Sequence, residues 1–169
     1  MKMIDALLAE MEQEAQTTAR VLERVPQSKL TWKPHPKSMS LGQLALHVAT
    51  VPGTVAQIAA MDTIPEPPQF VQAEAQTAAE LVPTMRDSVA KAREILGGFD
   101  DAKMAAMWRL QSGGRDLMAM PRVAVVRAIM LNHWYHHRGQ LLVYLRMHDV
   151  PLPSVYGPTA DENPFAVPA

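Results

Sequence analysis

Cysteine is missing altogether from the 169 residues. That one absence removes disulfides, thiolate nucleophiles and every sulfur-rich zinc site. Any metal would have to be held by imidazole, carboxylate or carbonyl groups. An excess of either charge is missing too: sixteen basic residues stand against seventeen acidic ones, for a formal net charge of −1. This balance carries no electrostatic signature of nucleic-acid binding. No stretch approaches eighteen uninterrupted apolar residues, so no membrane span is expected. Acids at Asp5 and Glu10 interrupt the N-terminal segment too early for a signal-peptide core. Nor does the chain hold a Ser-His-Asp arrangement, a phosphate loop or a paired-carboxylate motif. The expectation is a cytoplasmic protein with no nucleic-acid and no membrane partner.

What is present describes a folded domain. Hydrophobic residues make up 48% of the chain and charged ones 20%, which excludes a disordered chain. A chain of this length can bury a core without covalent staples, and it reads as a single domain over residues 1–169.

Four segments carry helical periodicity. The first runs from about Ile4 to Arg24, with Leu7, Leu8, Met11, Ala15, Ala19 and Leu22 at three- and four-residue steps. Val25-Pro26 ends it. The second opens on Ser40 and Gln43, the spacing of a capping box. It continues through Leu44, His47, Val51, Thr54, Val55 and Ile58, with Pro52 inside it, to the proline-rich stretch after Ile64. The third spans about Thr77 to Leu96 and stops at Gly97-Gly98. Residues Phe99 to Met120 are less regular, and Trp108-Arg109-Leu110 before Gly113-Gly114 suggests an extended excursion around a turn. The fourth helix is the longest, from Pro121 to about His148. Beyond it, Pro151, Pro153, Pro158, Pro164 and Pro168 predict an extended tail. The fold class is therefore all-α: a four-helix bundle with an irregular excursion before the last helix.

Six histidines are present, and three of them, His133, His136 and His137, fall within five residues. On a helix His133 and His137 lie about 40° apart around the axis, one turn above the other. That spacing lets two imidazoles bind one metal ion, while His136 points about 100° away from His137. Val126, Ile129, Met130, Gln140 and Tyr144 share the face of His133 and His137, which turns the pair inward. His47 likewise falls on the inward stripe of its helix. A lone inward histidine is ordinarily a hydrogen-bonded core residue. A pair on an apolar face is costly unless both rings find partners. Periodicity alone does not show that the two helices meet.

Other residues take plainer readings. Gln140 either orients a metal-bound ligand or bonds a neighbouring backbone. Arg138 projects sideways into an ion pair on a partly exposed face. His136 is a surface or interface residue, Trp32 packs against a helix end, and Trp134 and Tyr135 make core or dimer contacts. Met104, Met107, Met118 and Met120 fill gaps around the irregular segment. His35 sits in a loop, and His148 lies near a helix C-terminus, where a cation suits the macrodipole.

In this order the pieces resemble the DinB-like, or YfiT-like, metal-dependent bundle proteins along nearly the whole chain. Trp32-Lys33-Pro34, then Ser38 to Leu44 and His47, is similar to the family's approach to the second helix. His133-x-x-x-His137-Arg138-Gly139-Gln140-Leu141 with Val143-Tyr144-Leu145-Arg146 is similar to its last helix, and Pro151-x-Pro153 with Tyr156-Gly157-Pro158 to its exit. The resemblance implies a divalent metal on His47, His133 and His137, and homodimers. Relatives include thiol-dependent transferases and isomerases, so a low-molecular-weight thiol is an implied cofactor. Three neutral imidazoles with open positions suit zinc, nickel or iron. The expectation is a metal-dependent hydrolase or thiol-dependent transferase acting on a small-molecule substrate, with no general base assigned. The alternatives are a non-catalytic, metal-anchored binding or stress-response module and a metal-free bundle used for protein association.

Overall fold

The computed structural model describes residues 2–69 and 71–166. Helix α1 covers Met3–Leu22 and buries Ile4, Leu7, Met11 and Leu22, the stripe its periodicity predicts. It stops two residues short of Arg24, where the Glu23 amide closes on the carbonyls of Ala19 and Val21. Helix α2 covers Leu41–Ala60. Its capping box is formed: the Gln43 amide donates to Ser40 Oγ at 3.1 Å, and the Ser40 amide to Gln43 Oε1 at 2.9 Å. Helix α3 covers Leu81–Gly97 behind a 3-10 turn at Ala78–Glu80, so Pro83 falls in its first turn.

The all-α expectation is corrected here. The irregular stretch contains a short helix α4, Asp101–Ala105, and two strands, β2 Met107–Ser112 and β3 Arg115–Pro121. The strands form an antiparallel hairpin, and Gly113 and Gly114 take φ of 56° and 75° at its tip. Such a two-residue turn needs left-handed backbone twice, which glycine supplies without a Cβ clash. Between Leu110 and Gln111 the register slips, as at a β-bulge. A third strand, β1 Thr63–Ile64, pairs in parallel with β2. Helix α2 therefore ends at Ala60, before Ile64.

Pro121 is the last residue of β3, with extended backbone, and not the first residue of the helix. The last helix, α5, is α-helical over Arg122–Ala124, π-helical over Val125–Asn132 and α-helical again over His133–Arg146. A π segment widens the helix by one residue per turn and often sits beside functional sites.

Helices α1, α2, α3 and α5 form the bundle, with α2 packed between α3 and α5. Two approaches position α2. Gly53 lies so close to α3 that an added Cβ would stand 2.9 Å from the Ser88 carbonyl oxygen. Beyond the last turn, the fully buried guanidinium of Arg122 closes the open C-terminus of α2. It donates to the carbonyls of Ala59, Met61 and Lys103 at 2.6–3.0 Å, and to Asp62. A cation among orphan carbonyls satisfies both their hydrogen bonds and the helix dipole. Trp108, 2% exposed, ties the hairpin to the same end by donating to the Ile58 carbonyl.

After Arg146 the chain runs without helix or strand through residue 166, as its prolines predict; Pro168 lies outside the described residues. Among the described residues no helix is long and apolar enough to cross a membrane.

Candidate metal centre

His47 projects from the second turn of α2, and His133 and His137 from the second α-helical part of α5. The fold brings all three together. Nε2 of His47 lies 2.9 Å from Nε2 of His133, and each ring offers one nitrogen within 4.8 Å of the others. Bonds of about 2.1 Å to one ion place donor nitrogens roughly 3–3.5 Å apart, so small imidazole rotations close the set. The rings stand edge to face, with centroids 4.4–5.2 Å apart.

Their electrostatics favour lone pairs over protons. Burial, reinforced by His137 and His133, pushes the His47 imidazole down to about 4. Burial also lowers His133, with His136 adding to it. The His137 imidazole is lowered by burial as well, against an upward pull from Gln140. A buried charge without a counter-ion is disfavoured, and three close imidazoles cannot all be cations.

Gln140 favours one tautomer of His137. Its amide oxygen lies 2.8 Å from Nδ1, which therefore carries the proton, and this leaves Nε2 as a free donor. Orientation of a ligating imidazole through its other nitrogen is a recurrent feature of metal sites. The role expected for Gln140 was toward a bound ligand or the backbone. The structure gives it to a histidine, and Gln140 is exposed at the rim rather than inward. His136 is exposed and offers no nitrogen to the cluster.

The distance between the ligand-bearing helices has its own device. Pro52 lacks an amide hydrogen, so the Val48 carbonyl loses its helical partner. The Trp134 indole, fully buried beside His133, donates to that carbonyl at 2.8 Å. Sequence reasoning placed Trp134 in a core contact without this bond. The available signal was Pro52 itself, because an orphaned carbonyl four residues earlier asks for a donor.

Arg138 is corrected. It is not partly exposed but 1% exposed, and its guanidinium pairs with Glu14 at 2.6 Å. It also donates to Thr18 Oγ1 at 3.0 Å and to the Tyr156 hydroxyl at 2.6 Å, between the rings of Tyr135 and Tyr156. Tyr156 in turn donates to Glu14 at 3.0 Å. This network fastens α1, α5 and the tail behind the histidines. Trp32 meets the end of α5 as expected, edge-on to Tyr144 and His148. His148 lies after the last turn of α5, and its Nε2 is buried with no hydrogen-bond partner among the described residues. Of the four methionines, Met104 fills the core, whereas Met107 and Met118 are 46% and 38% exposed.

The histidines stand at a cavity of about 470 Å³ between α2, α5 and the segment 71–73. That segment is held against the N-terminus of α2. Gln43 Nε2 donates to the Gln72 carbonyl at 3.0 Å, and Ser40 bonds Glu74.

Comparison with known proteins agrees with this fold. The model of the DinB superfamily matches residues 10–141. A DinB-like protein of Bacillus cereus superposes with a TM-score of 0.70 at 20% identity, over 90% of this chain and 97% of that one. A second DinB-like protein, from Bacillus subtilis, gives 0.66 at 19% identity, over 88% and 96%. None of the curated proteins matches the chain.

Proposed function

The chain belongs to the DinB superfamily, and from that premise we propose that it is a divalent-metal protein acting on a small molecule. His47, His133 and His137 would hold the ion. The observation that carries this reading is the convergence of three neutral imidazoles, with His137 Nδ1 already spent on Gln140. Three neutral donors suit zinc, nickel or iron, and do not by themselves choose among them. Bound there, a divalent cation supplies Lewis acidity toward an oxygen or thiol donor of the substrate.

The chain's own residues do the rest. Gln140 holds the His137 ring, Trp134 sets the spacing of α2 and α5, and the apolar wall shields the reacting end of the substrate from water. The finer reading is an enzyme, a metal-dependent hydrolase or a transferase using a low-molecular-weight thiol, working as a homodimer in the cytoplasm. No charged side chain lines the cavity among the described residues, so none is assigned as general base.

Metal analysis and calorimetric titration with Zn²⁺, Ni²⁺ and Fe²⁺, on protein purified without an affinity tag, test the centre. One ion per chain is expected, and no saturable binding would refute it. A screen of thiols and electrophiles then tests turnover. Saturable ligand binding with no conversion across the panel would favour the metal-anchored binding module, and sedimentation would test the homodimer.

A further inference from the structure

The lining of the cavity is informative about its occupant. From the histidines it follows α2 to Ile58, eleven residues beyond His47, or roughly 16 Å along the helix. Leu46, Val51, Val55 and Ile58 form this wall, Ile129 of α5 faces them, and Val71 and Ala73, both exposed, edge the open side. The polar groups other than imidazole are few. Thr50 has already turned its hydroxyl to the Leu46 carbonyl at 3.0 Å, which leaves Thr54 and Gln72. Among the described residues no Asp, Glu, Lys or Arg reaches the cavity.

A carboxylate or ammonium group laid against this wall would give up part of its hydration and gain no counter-charge among the described residues, which is costly. Apolar groups gain by the same transfer. We propose that the cavity takes a ligand with one metal-binding head and an uncharged, apolar tail lying along α2 toward Ile58. This rests on the metal reading for the head alone, since the tail is selected by the wall. It also separates the occupant from thiols that carry several carboxylates.

Two measurements test it. In metal-free protein the neutral fluorophore N-phenyl-1-naphthylamine is expected to bind at one saturable site. Thr54→Asp, an exposed wall position, should weaken it about tenfold or more by placing a charge in the wall. Ala73→Asp, from the opposite side, repeats the test should Thr54→Asp misfold. No saturable binding, or binding indifferent to both substitutions, would overturn the proposal.

In the metal-loaded protein octanohydroxamate is expected to bind more tightly than acetohydroxamate, by about 100-fold or more, because even three of its six additional methylenes, if buried, contribute about 2.4 kcal/mol. Equal affinities, or a preference for glutathione over both, would also overturn it. If no metal binds, the metal reading fails by itself, and the fluorophore measurement still decides the nature of the wall.

Discussion

Two faces of one helix, separated by a single residue, treat polarity in opposite ways. On the His133–His137 face of α5 three imidazoles crowd together, among the described residues with no carboxylate to neutralise a proton, and burial drives them toward the neutral form. On the Arg138 face every charge is answered: Glu14, Thr18 and Tyr156 surround the guanidinium, and Glu10 accepts from Arg127 and Tyr135 next to it. The first arrangement is poor at holding the fold together and well suited to an ion from outside. The second stabilises the bundle and has no donor to spare. Burial of polar groups points to a candidate site where, as in the three imidazoles, their nitrogens converge without a charged partner among the described residues.

Breaking the closed face should have the largest effect. Arg138→Leu leaves Glu14 buried without its counter-charge, with an expected loss of about 3–5 kcal/mol in urea unfolding. The metal affinity of the folded fraction should be kept. A loss of affinity with unchanged stability would reverse the roles given to the two faces.

Breaking the open face should do the opposite. His133→Ala is expected to weaken metal binding about 100-fold or more, near 2.7 kcal/mol, with little change in metal-free stability. His136→Ala should leave the affinity intact, and equal losses in the two variants would refute the ligand assignment.

Trp134→Phe tests the link between the faces. The Val48 carbonyl would be left without a donor, at a cost of about 1–3 kcal/mol in stability, and metal affinity should fall because α2 is no longer held in place. Gln140→Ala is subtler. Losing the bond that orients His137 should weaken metal binding about tenfold, while an exposed rim position should change stability by less than about 0.5 kcal/mol.

A last test of the open face uses pH. The three imidazoles titrate below the ordinary histidine value, His47 at about 4. Between about 6.5 and 4 the unfolded chain therefore binds more protons than the folded one. Metal-free protein should lose stability as pH falls through that window and level off below it. His47→Ala should flatten the slope in thermal unfolding measured against pH, and an unchanged slope would show that His47 keeps an ordinary pKa.

Much of the bundle can be read along the chain because its causes are local. Ser40 and Gln43 are three residues apart and make the capping box they suggest. Gly113-Gly114 makes the turn, although periodicity did not show that its flanks pair as strands or that Thr63–Ile64 joins them. The π segment also escaped, since Val125–Asn132 carries the same apolar pattern whichever carbonyls its amides choose. Arg138 was misread because a lone arginine looks like a surface residue until Glu14, 124 positions earlier, packs against it.

By itself the sequence determined that His133 and His137 share one helical face, since a four-residue step is a matter of backbone rotation alone. It determined too that none of these 169 residues could add a thiolate to them. Only the tertiary structure decided that His47, 86 residues away, brings Nε2 within 2.9 Å of His133. That distance depends on how two helices pack, through Trp134 at Val48 and Gly53 at Ser88. Contacts of this kind arise from shape complementarity across the core, which no periodicity along a single helix encodes.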